Sequence, residues 1–526
     1  MMAGTEGRPR SDRFVLAVDL GTSILKLGLV SLDGQIVWWE QTPVSTALGS
    51  GGAAVQDADE WWRIVVSGTH RGLADSRVSG DQVAAVCVTG QWASTVPVDT
   101  TGHPVGPCVM WFDSRGERHS RALFGGIVDG YRGRPLATWL QRSGGIPSPS
   151  GADPVGHMLY LSRDRPDIAR AARWYLEPVD YLSMRFTGIA AASHASMTAA
   201  WLTDNRRLDV LAYDKRLVEM AEVDATKLPP LVATGSVVGR VQPSVAAELG
   251  ISLLTRVVTG VPDLHGAAVG AGCVRDHEPY MAISTTAWVS CQLPRKKTDV
   301  LRHMATVPGL TTDRYLLGNN QDTAGRSLEW FRDEMAGSFS RGQRWSFDKL
   351  TALAASSPAG AGGVIFTPWL NGERSPVDDQ SARGGFHNVS LSTSGADLTR
   401  AVLEGVAYNV KWLLDAVENF TGQRLEPIRL VGGGPQSDLW CQIIADVCDH
   451  RMDRVAYPLL AGLRGTALMA GMALGEVDRD EVRDLVPVDR TFEPNPANRE
   501  LYDRLSKELP GLYKGQRGMF HRLNRR

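Results

Sequence analysis

"AVDLGTSILKLGLVSLDGQIV", residues 17 to 37, runs as two apolar strands and the start of a third. The breaks fall at Gly21-Thr22-Ser23 and at Asp33-Gly34, so the stretch, with "QIVWWEQTPV" after it, predicts an antiparallel meander. A plain hairpin has no use for Asp19. A carboxylate at a strand end, followed by a turn rich in backbone N–H and hydroxyl groups, can hold Mg²⁺ through water while Gly21, Thr22 and Ser23 cradle phosphate oxygens. On these residues alone, a hairpin turn with a chance aspartate stands equally open.

The rest of the first half reads as an α/β domain. "DADEWWRIVVSGTHRGLAD" opens with acidic residues suited to a helix N-terminus, and "VAAVCVTG" is an apolar strand ending at Gln91 and Trp92. Helical segments are expected near 156–172 and 208–222, and "RVVTGVPDLHGAAVGAGCV" reads as strand, tight turn and small-residue helix. From "PYMAISTTAWVSCQL" onward the same grammar returns: a meander, then alternating strands and helices. The domain boundary is placed near residue 273, giving 13–273 and 274–510.

The totals suit two domains of roughly 250 residues. The 526 residues are 43% hydrophobic and 22% charged, with a formal charge of −2 that leaves no electrostatic footprint for nucleic acid or an anionic membrane. The basic end "KGQRGMFHRLNRR" is expected to be a solvated tail. Six scattered cysteines form no C-x-x-C pair, which argues against a disulfide framework or structural zinc and for a reducing cytoplasm. "MMAGTEGRPRSDR" lacks the apolar core of a signal peptide.

Two further elements carry chemistry or an ordinary turn. In "VGGGPQSDLWCQIIAD" a strand ends in glycines that let backbone approach a ligand; it also reads as a loop capped by Ser437. Asp263, at a strand-to-helix turn, can accept a hydroxyl proton as phosphoryl transfer begins, or simply cap the helix behind it. His265 has no partner visible in the sequence and is read as structural.

Taken in order, Asp-Leu-Gly-Thr-Ser, "GQ", "WFDSR", "VDYLSMRFTG", "PWLNGERSP" and "VGGGPQSDLW" resemble the FGGY family of carbohydrate kinases, most closely its xylulokinase branch, from about residue 14 to 476. The resemblance implies two actin-like, ribonuclease H-type α/β domains flanking a central cleft that holds ATP, Mg²⁺ and a small sugar or polyol. It makes Asp19 the Mg²⁺-associated carboxylate, with Asp263 as general base and second metal neighbour. Gly21, Thr22 and Ser23 become the first phosphate turn, Thr285 and Thr286 the second, and Gly325, Gly433, Gly434 and Asp438 the remaining nucleotide positions. Gln91, Trp92, Asp113, Arg115, Asp263 and Leu264 fall on the sugar side. A cytoplasmic enzyme is implied, and a homodimer is compatible with it.

The chain departs from that pattern in two places. Where the family carries Gly-Thr-Ser-Gly, this chain has Thr285-Thr286-Ala287-Trp288, so the turn is expected to have changed shape and to grip phosphate less well. On the sugar side, family polar types give way to Ala93, Phe112 and Leu264, which predicts an altered, more apolar pocket and a poor fit to xylulose. His157 stands where the family has lysine. The leading expectation is an ATP-dependent carbohydrate or polyol kinase. The alternative is a catalytically weak nucleotide or metabolite sensor, while a chaperone-type ATPase lacks a peptide-binding domain after residue 476.

Overall fold

Why is "FVLAVDL" apolar almost throughout? It is β1 (Phe14–Leu20), fully buried, with Phe14, Leu16, Val18 and Leu20 in one core and Val15 and Ala17 in another, as a strand covered on both faces must be. A computed structural model describes residues 11–128, 130–339 and 345–524; residues 1–10, most of the stretch read against a signal peptide, lie outside them. β2 (Ile24–Ser31) pairs antiparallel with β1 from Phe14↔Ser31 to Leu20↔Leu25, and β3 (Ile36–Pro43) adds beyond β2. The expected meander is there.

α1 (Ala58–Ser76) is capped by the Asp57 carboxylate, which accepts the Asp59 N–H, and lays Trp61, Trp62 and Val65 on this sheet. β4 (Val83–Gly90) then runs parallel to β1. β5 (Val237–Arg240), β6 (Arg256–Val258) and the short β7 (Val261–Pro262) complete the order β5-β6-β4-β1-β2-β3, with β7 on the end of β4. The intervening residues build a lobe with its own core around Val109, Trp139, Leu159 and Leu202. Its helices are shorter than expected: Pro154–Asp164 and Pro166–Ala171 break at a proline, and Lys215–Ala221 begins only after Asp214, whose carboxylate caps it.

α2 (Asp263–Gly270) leads into the second unit: β8 (Tyr280–Ile283), β9 (Ala287–Ser290), α3 (Gly325–Trp330), α4 (Gly395–Thr421), β10 (Ile428–Val431), α5 (Asp438–Cys448), β11 (Met452–Val455), α6 (Ala461–Leu474), β12 (Val488–Phe492) and α7 (Arg499–Leu523). Its sheet order, β9-β8-β10-β11-β12, matches β2-β1-β4-β6-β5 strand for strand. In both, a hairpin borders two parallel strands and an antiparallel edge strand closes the sheet; that edge strand precedes its neighbour in the chain in the first unit (β5 before β6) and follows it in the second (β12 after β11). This is the duplicated ribonuclease H-type architecture. The third meander strand differs: Gln292–Leu293 leaves β9 and pairs with Tyr315–Gly318 in a separate sheet.

The halves are joined by helices, and here the small residues of "DLHGAAVGAG" find their reason. A Cβ on Gly270 would overlap the Ala461 carbonyl, and one on Gly465 the Gly266 carbonyl, so α2 and α6 pack backbone against backbone. Around them Ala268, Leu463, Ala467 and Leu468 form a core shared with Val15 and Ala17 of β1. The basic C-terminal stretch is not a solvated tail. Its described part, residues 514–524, continues α7 beyond the buried Tyr513, buries Phe520, and carries Asn524, whose Nδ2 donates to the Ser381 carbonyl. An amphipathic spacing of Tyr502, Leu505, Leu509, Tyr513 and Phe520 outweighs its net charge. No helix among the described residues is long and apolar enough to cross a membrane.

Candidate active site

Three strand ends meet at one edge of the first sheet. In the parallel register Leu20 and Pro262 both stand opposite Gly90, so Asp19, Gln91 and Asp263 emerge side by side where β1, β4 and β7 stop. Neighbouring strands lie about 4.8 Å apart, and carboxyl strand ends are where open α/β sheets bind ligands. Lys26, directly opposite Asp19 in the hairpin, places Nζ 2.9 Å from Asp19 Oδ2. Asp263 is the first residue of α2, and its Oδ1 accepts its neighbour Leu264's N–H at 2.8 Å. Its side chain opens to the cleft yet sits deep in protein mass. That enclosure, then the like charge of Asp19, pushes its pKa up to about 7, with the Leu264 N–H and Lys26 opposing.

The first turn is built as a cradle. The Gly21 N–H points back to the carbonyls of Asp19 and Ile24, and a Cβ there would lie 2.8 Å from the Ile24 oxygen. Thr22 is held twice: its Oγ1 accepts the Trp111 indole N–H at 3.1 Å and its carbonyl accepts Gln56 Nε2 at 2.7 Å. Ser23 is exposed. Gln56 Oε1 accepts Gln91 Nε2 at 3.1 Å, while Gln91 Oε1, also buried, has no partner. A buried carbonyl without a donor, at the strand end next to that of Asp263, lacks the hydrogen bond that a ligand hydroxyl could supply.

The second unit repeats the arrangement. Ile283 pairs with Ala287, closing Ser284-Thr285-Thr286 into a turn one residue shorter than its counterpart. None of these residues needs a positive φ, so the glycines are replaced without backbone strain. Gly325, opening α3, donates its N–H to the Ser284 carbonyl at 2.7 Å, and a Cβ on it would sit 2.5 Å from that oxygen. Gly432, at φ 99°, passes equally close to Ile283, and Gly434 packs on the Ile283 side chain. Gly433 is less crowded, a Cβ there coming no nearer than 3.9 Å to the Gln436 and Leu459 side chains. Thr285, Thr286, Gly325, Gly433 and Gly434 therefore converge. Segment 458–462 ties this wall to the first: the Pro458 carbonyl accepts the Gly432 N–H, and Gly462 packs against Asp19 Oδ2.

Other expected residues sit elsewhere. Asp113 is fully buried, its oxygens taken by the Ala54 and Arg115 N–H groups and the Arg115 guanidinium, so it braces the loop instead of facing a sugar. Arg115 is further tied to Tyr160 Oη at 2.7 Å. Asp438 opens α5 with its carboxylate spent on Arg454 and Arg490. Trp92 is half-buried with its indole N–H on the Ser196 carbonyl at 2.6 Å, and Phe112 packs edge-on against Trp111. His157 meets Thr95 Oγ1, and His265 meets the Pro308 carbonyl. Trp288 is engaged by Tyr280, whose hydroxyl accepts its indole N–H at 3.1 Å. Sequence reasoning missed Lys26, Gln56, Trp111 and Arg374, whose guanidinium lies over the Trp111 ring; register alone would have found Lys26, since a Leu20↔Leu25 closure sets it opposite Asp19.

The chain matches the models for both halves of the FGGY family of carbohydrate kinases, the N-terminal domain over residues 14–270 and the C-terminal domain over 284–474. It belongs to that family, and it is a carbohydrate kinase, a phosphotransferase with an alcohol acceptor. Among curated relatives, a xylulose kinase of Staphylococcus epidermidis is 28% identical over 504 residues, 95% of this chain and 96% of that one. A gluconokinase of Bacillus licheniformis is 24% identical over 497 residues, 94% of each. The solved xylulose kinase of Rhodospirillum rubrum superposes with a TM-score of 0.81 at 25% identity, covering 97% of this chain and 100% of that one.

Proposed function

We propose that this kinase transfers the terminal phosphoryl group of ATP to a hydroxyl of a small, uncharged ketose or polyol, in the manner of a xylulokinase. Residues 13–273 form the sugar side and 274–510 the nucleotide side. The observation that carries the reading is that Asp263 and Gln91 follow adjacent strand ends, with Gln91 Oε1 left without a partner. Gln91 accepts one acceptor hydroxyl's hydrogen bond and so orients the molecule. Asp263 takes the proton of the hydroxyl that attacks, and its raised pKa keeps it basic enough for the task near neutrality. The turns at Gly21–Ser23 and Thr285–Thr286, with Gly433 and Gly434, bring hydroxyls and backbone N–H groups to the phosphates, while Gly21 and Gly325, whose own N–H groups are spent on turn carbonyls, let the backbone pack closely.

Asp19 and Asp263 are hard oxygen donors suited to Mg²⁺, a cation that keeps several waters and needs only one or two carboxylates beside substrate phosphates. Bound there, it would neutralise charge on the transferred group. No cluster of three metal-ligating side chains occurs among the described residues.

An uncharged acceptor is favoured over an aldonate because the nearby cations are committed, Arg115 to Asp113 and Lys26 to Asp19. Trp111, Phe112, Trp92 and Leu264 supply apolar walls, which supports an altered pocket. A non-catalytic sensor rests on the glycine-poor turn and on the apolar substrate positions; the turn closes without backbone strain, which leaves that reading only the second of its supports. The test is ADP release with Mg²⁺-ATP across pentuloses, hexuloses, polyols and gluconate. Turnover with an uncharged member supports the reading; turnover with gluconate alone overturns the substrate class, and none at all with ATP bound revives the sensor.

A further inference from the structure

Trp288 stands where the resembling family has a glycine, and its indole points into the joint between the halves. β9 alternates: Ala287 and Val289 enter the second unit's own core, whereas Trp288 packs with Leu264, Tyr280 and Ala282 in the shared one. Its Nε1 donates to Tyr280 Oη at 3.1 Å, and the Tyr280 hydroxyl donates to the Leu264 carbonyl at 2.6 Å. The Leu264 N–H in turn donates to Asp263 Oδ1. Tyr280 is fully buried, so this hydroxyl has no water to turn to. A second tie runs beside it, from His265 Nε2 to the Pro308 carbonyl at 2.8 Å. The first turn of α2 is thus held from the second unit at two successive residues.

We propose that Trp288 and Tyr280 are positioning residues, linking the second phosphate turn to the first turn of α2 so that Asp263 faces the acceptor hydroxyl. The proposal rests on Asp263 being the base. Because β9 begins directly after Thr285-Thr286, a shift of that turn is carried by a rigid indole and phenol to the base across the cleft. Displacing a reacting group by about 1 Å can cost about 100-fold in rate.

The experiment compares Trp288→Phe, Tyr280→Phe and the double variant, each first checked for a native melting transition. Amide hydrogen exchange of residues 263–267 in the full chain needs no acceptor; exchange there should speed up several-fold in each variant. With the panel's best acceptor, kcat should fall about tenfold while the KM for ATP stays within about twofold. The double variant should be no worse than Tyr280→Phe, because both act through one path. Unchanged exchange at 263–267, additive losses, or a KM for ATP that moves as much as kcat would each overturn the proposal. Asp263→Asn separates the two readings: turnover retained there removes the base, whereas a dead Asp263→Asn beside a normal Tyr280→Phe removes only the link.

Discussion

The guanidinium of Arg374 lies 5.2 Å from the centre of the Trp111 ring, one half of the molecule reaching over the other. Arg374 is anchored behind by Asp322, Nε to Oδ1 at 2.8 Å, and Trp111 passes the contact on to Thr22 Oγ1. The "NGERSP" loop therefore bears on the first phosphate turn through an indole.

Trp111 is also an apolar wall of the proposed acceptor pocket, so this contact should be felt in acceptor binding more than in folding. A cation over an indole contributes about 0.5–1 kcal/mol when partly exposed, as Arg374 is. Arg374→Ala should raise the acceptor KM by about three- to fivefold with little change in melting temperature, and Arg374→Lys should recover part of it. Initial rates across acceptor concentrations decide. An unmoved KM would make the contact idle.

The pH dependence follows from Asp263. Only the carboxylate can take a proton, so kcat should climb with pH through about 7 and then level off. Lys26 opposes the rise in that pKa, so Lys26→Met should move the acid limb to higher pH. Stability runs the other way. The folded chain keeps a proton that the unfolded one loses near 3.8, so this residue's contribution weakens as pH rises from there through about 7. A pH–rate profile beside a pH–melting profile tests both signs.

Much of the site was legible because it sits at strand ends. Asp19, Gln91 and Asp263 each follow an apolar run, and the glycines of 432–434 break one. What the sequence hid depends on side-chain direction and distant pairing. Asp113 looks like a ligand until its oxygens are found spent on Ala54 and Arg115. Trp288 looks like an obstruction in the phosphate turn until the β9 alternation turns it toward Tyr280. Thr22, Trp111 and Arg374 meet from remote segments, and no local pattern announces that. The terminal helix was misread because its basic face outnumbers its apolar stripe.

The joint between α2 and α6 should tolerate no added carbon. Gly270→Ala would drive a methyl into the Ala461 backbone, where no side chain can move aside. A loss on the order of 2–4 kcal/mol is expected, read as a lower melting temperature and soluble yield. Gly515→Ala, on α7 with open space around it, is the matched control and should be neutral or slightly stabilising. Equal behaviour of the two would refute the close-packing account.

The last turns of α7 should control activity from a distance. Asp379 is buried; its Oδ2 accepts the Tyr513 hydroxyl at 3.1 Å, and His521 lies 3.7 Å from the same oxygen. Asp379 and Glu373 exchange both backbone hydrogen bonds, at 3.1 and 2.9 Å. Glu373 Oε1 then accepts the Asp322 and Arg374 N–H groups, and its Oε2 accepts Asn409 Nδ2. The helix thus braces the loop that aims Arg374 at Trp111. Tyr513→Phe removes one donor from a buried carboxylate, worth about 1–3 kcal/mol, and His521 offsets part of the loss. The expected result is a modest fall in melting temperature and a rise in acceptor KM resembling that of Arg374→Ala, with ATP binding intact. Because both changes act through one loop, Arg374→Ala/Tyr513→Phe should be less than additive in acceptor KM. Full additivity would mean that α7 merely stabilises the fold and leaves the aim of Arg374 alone.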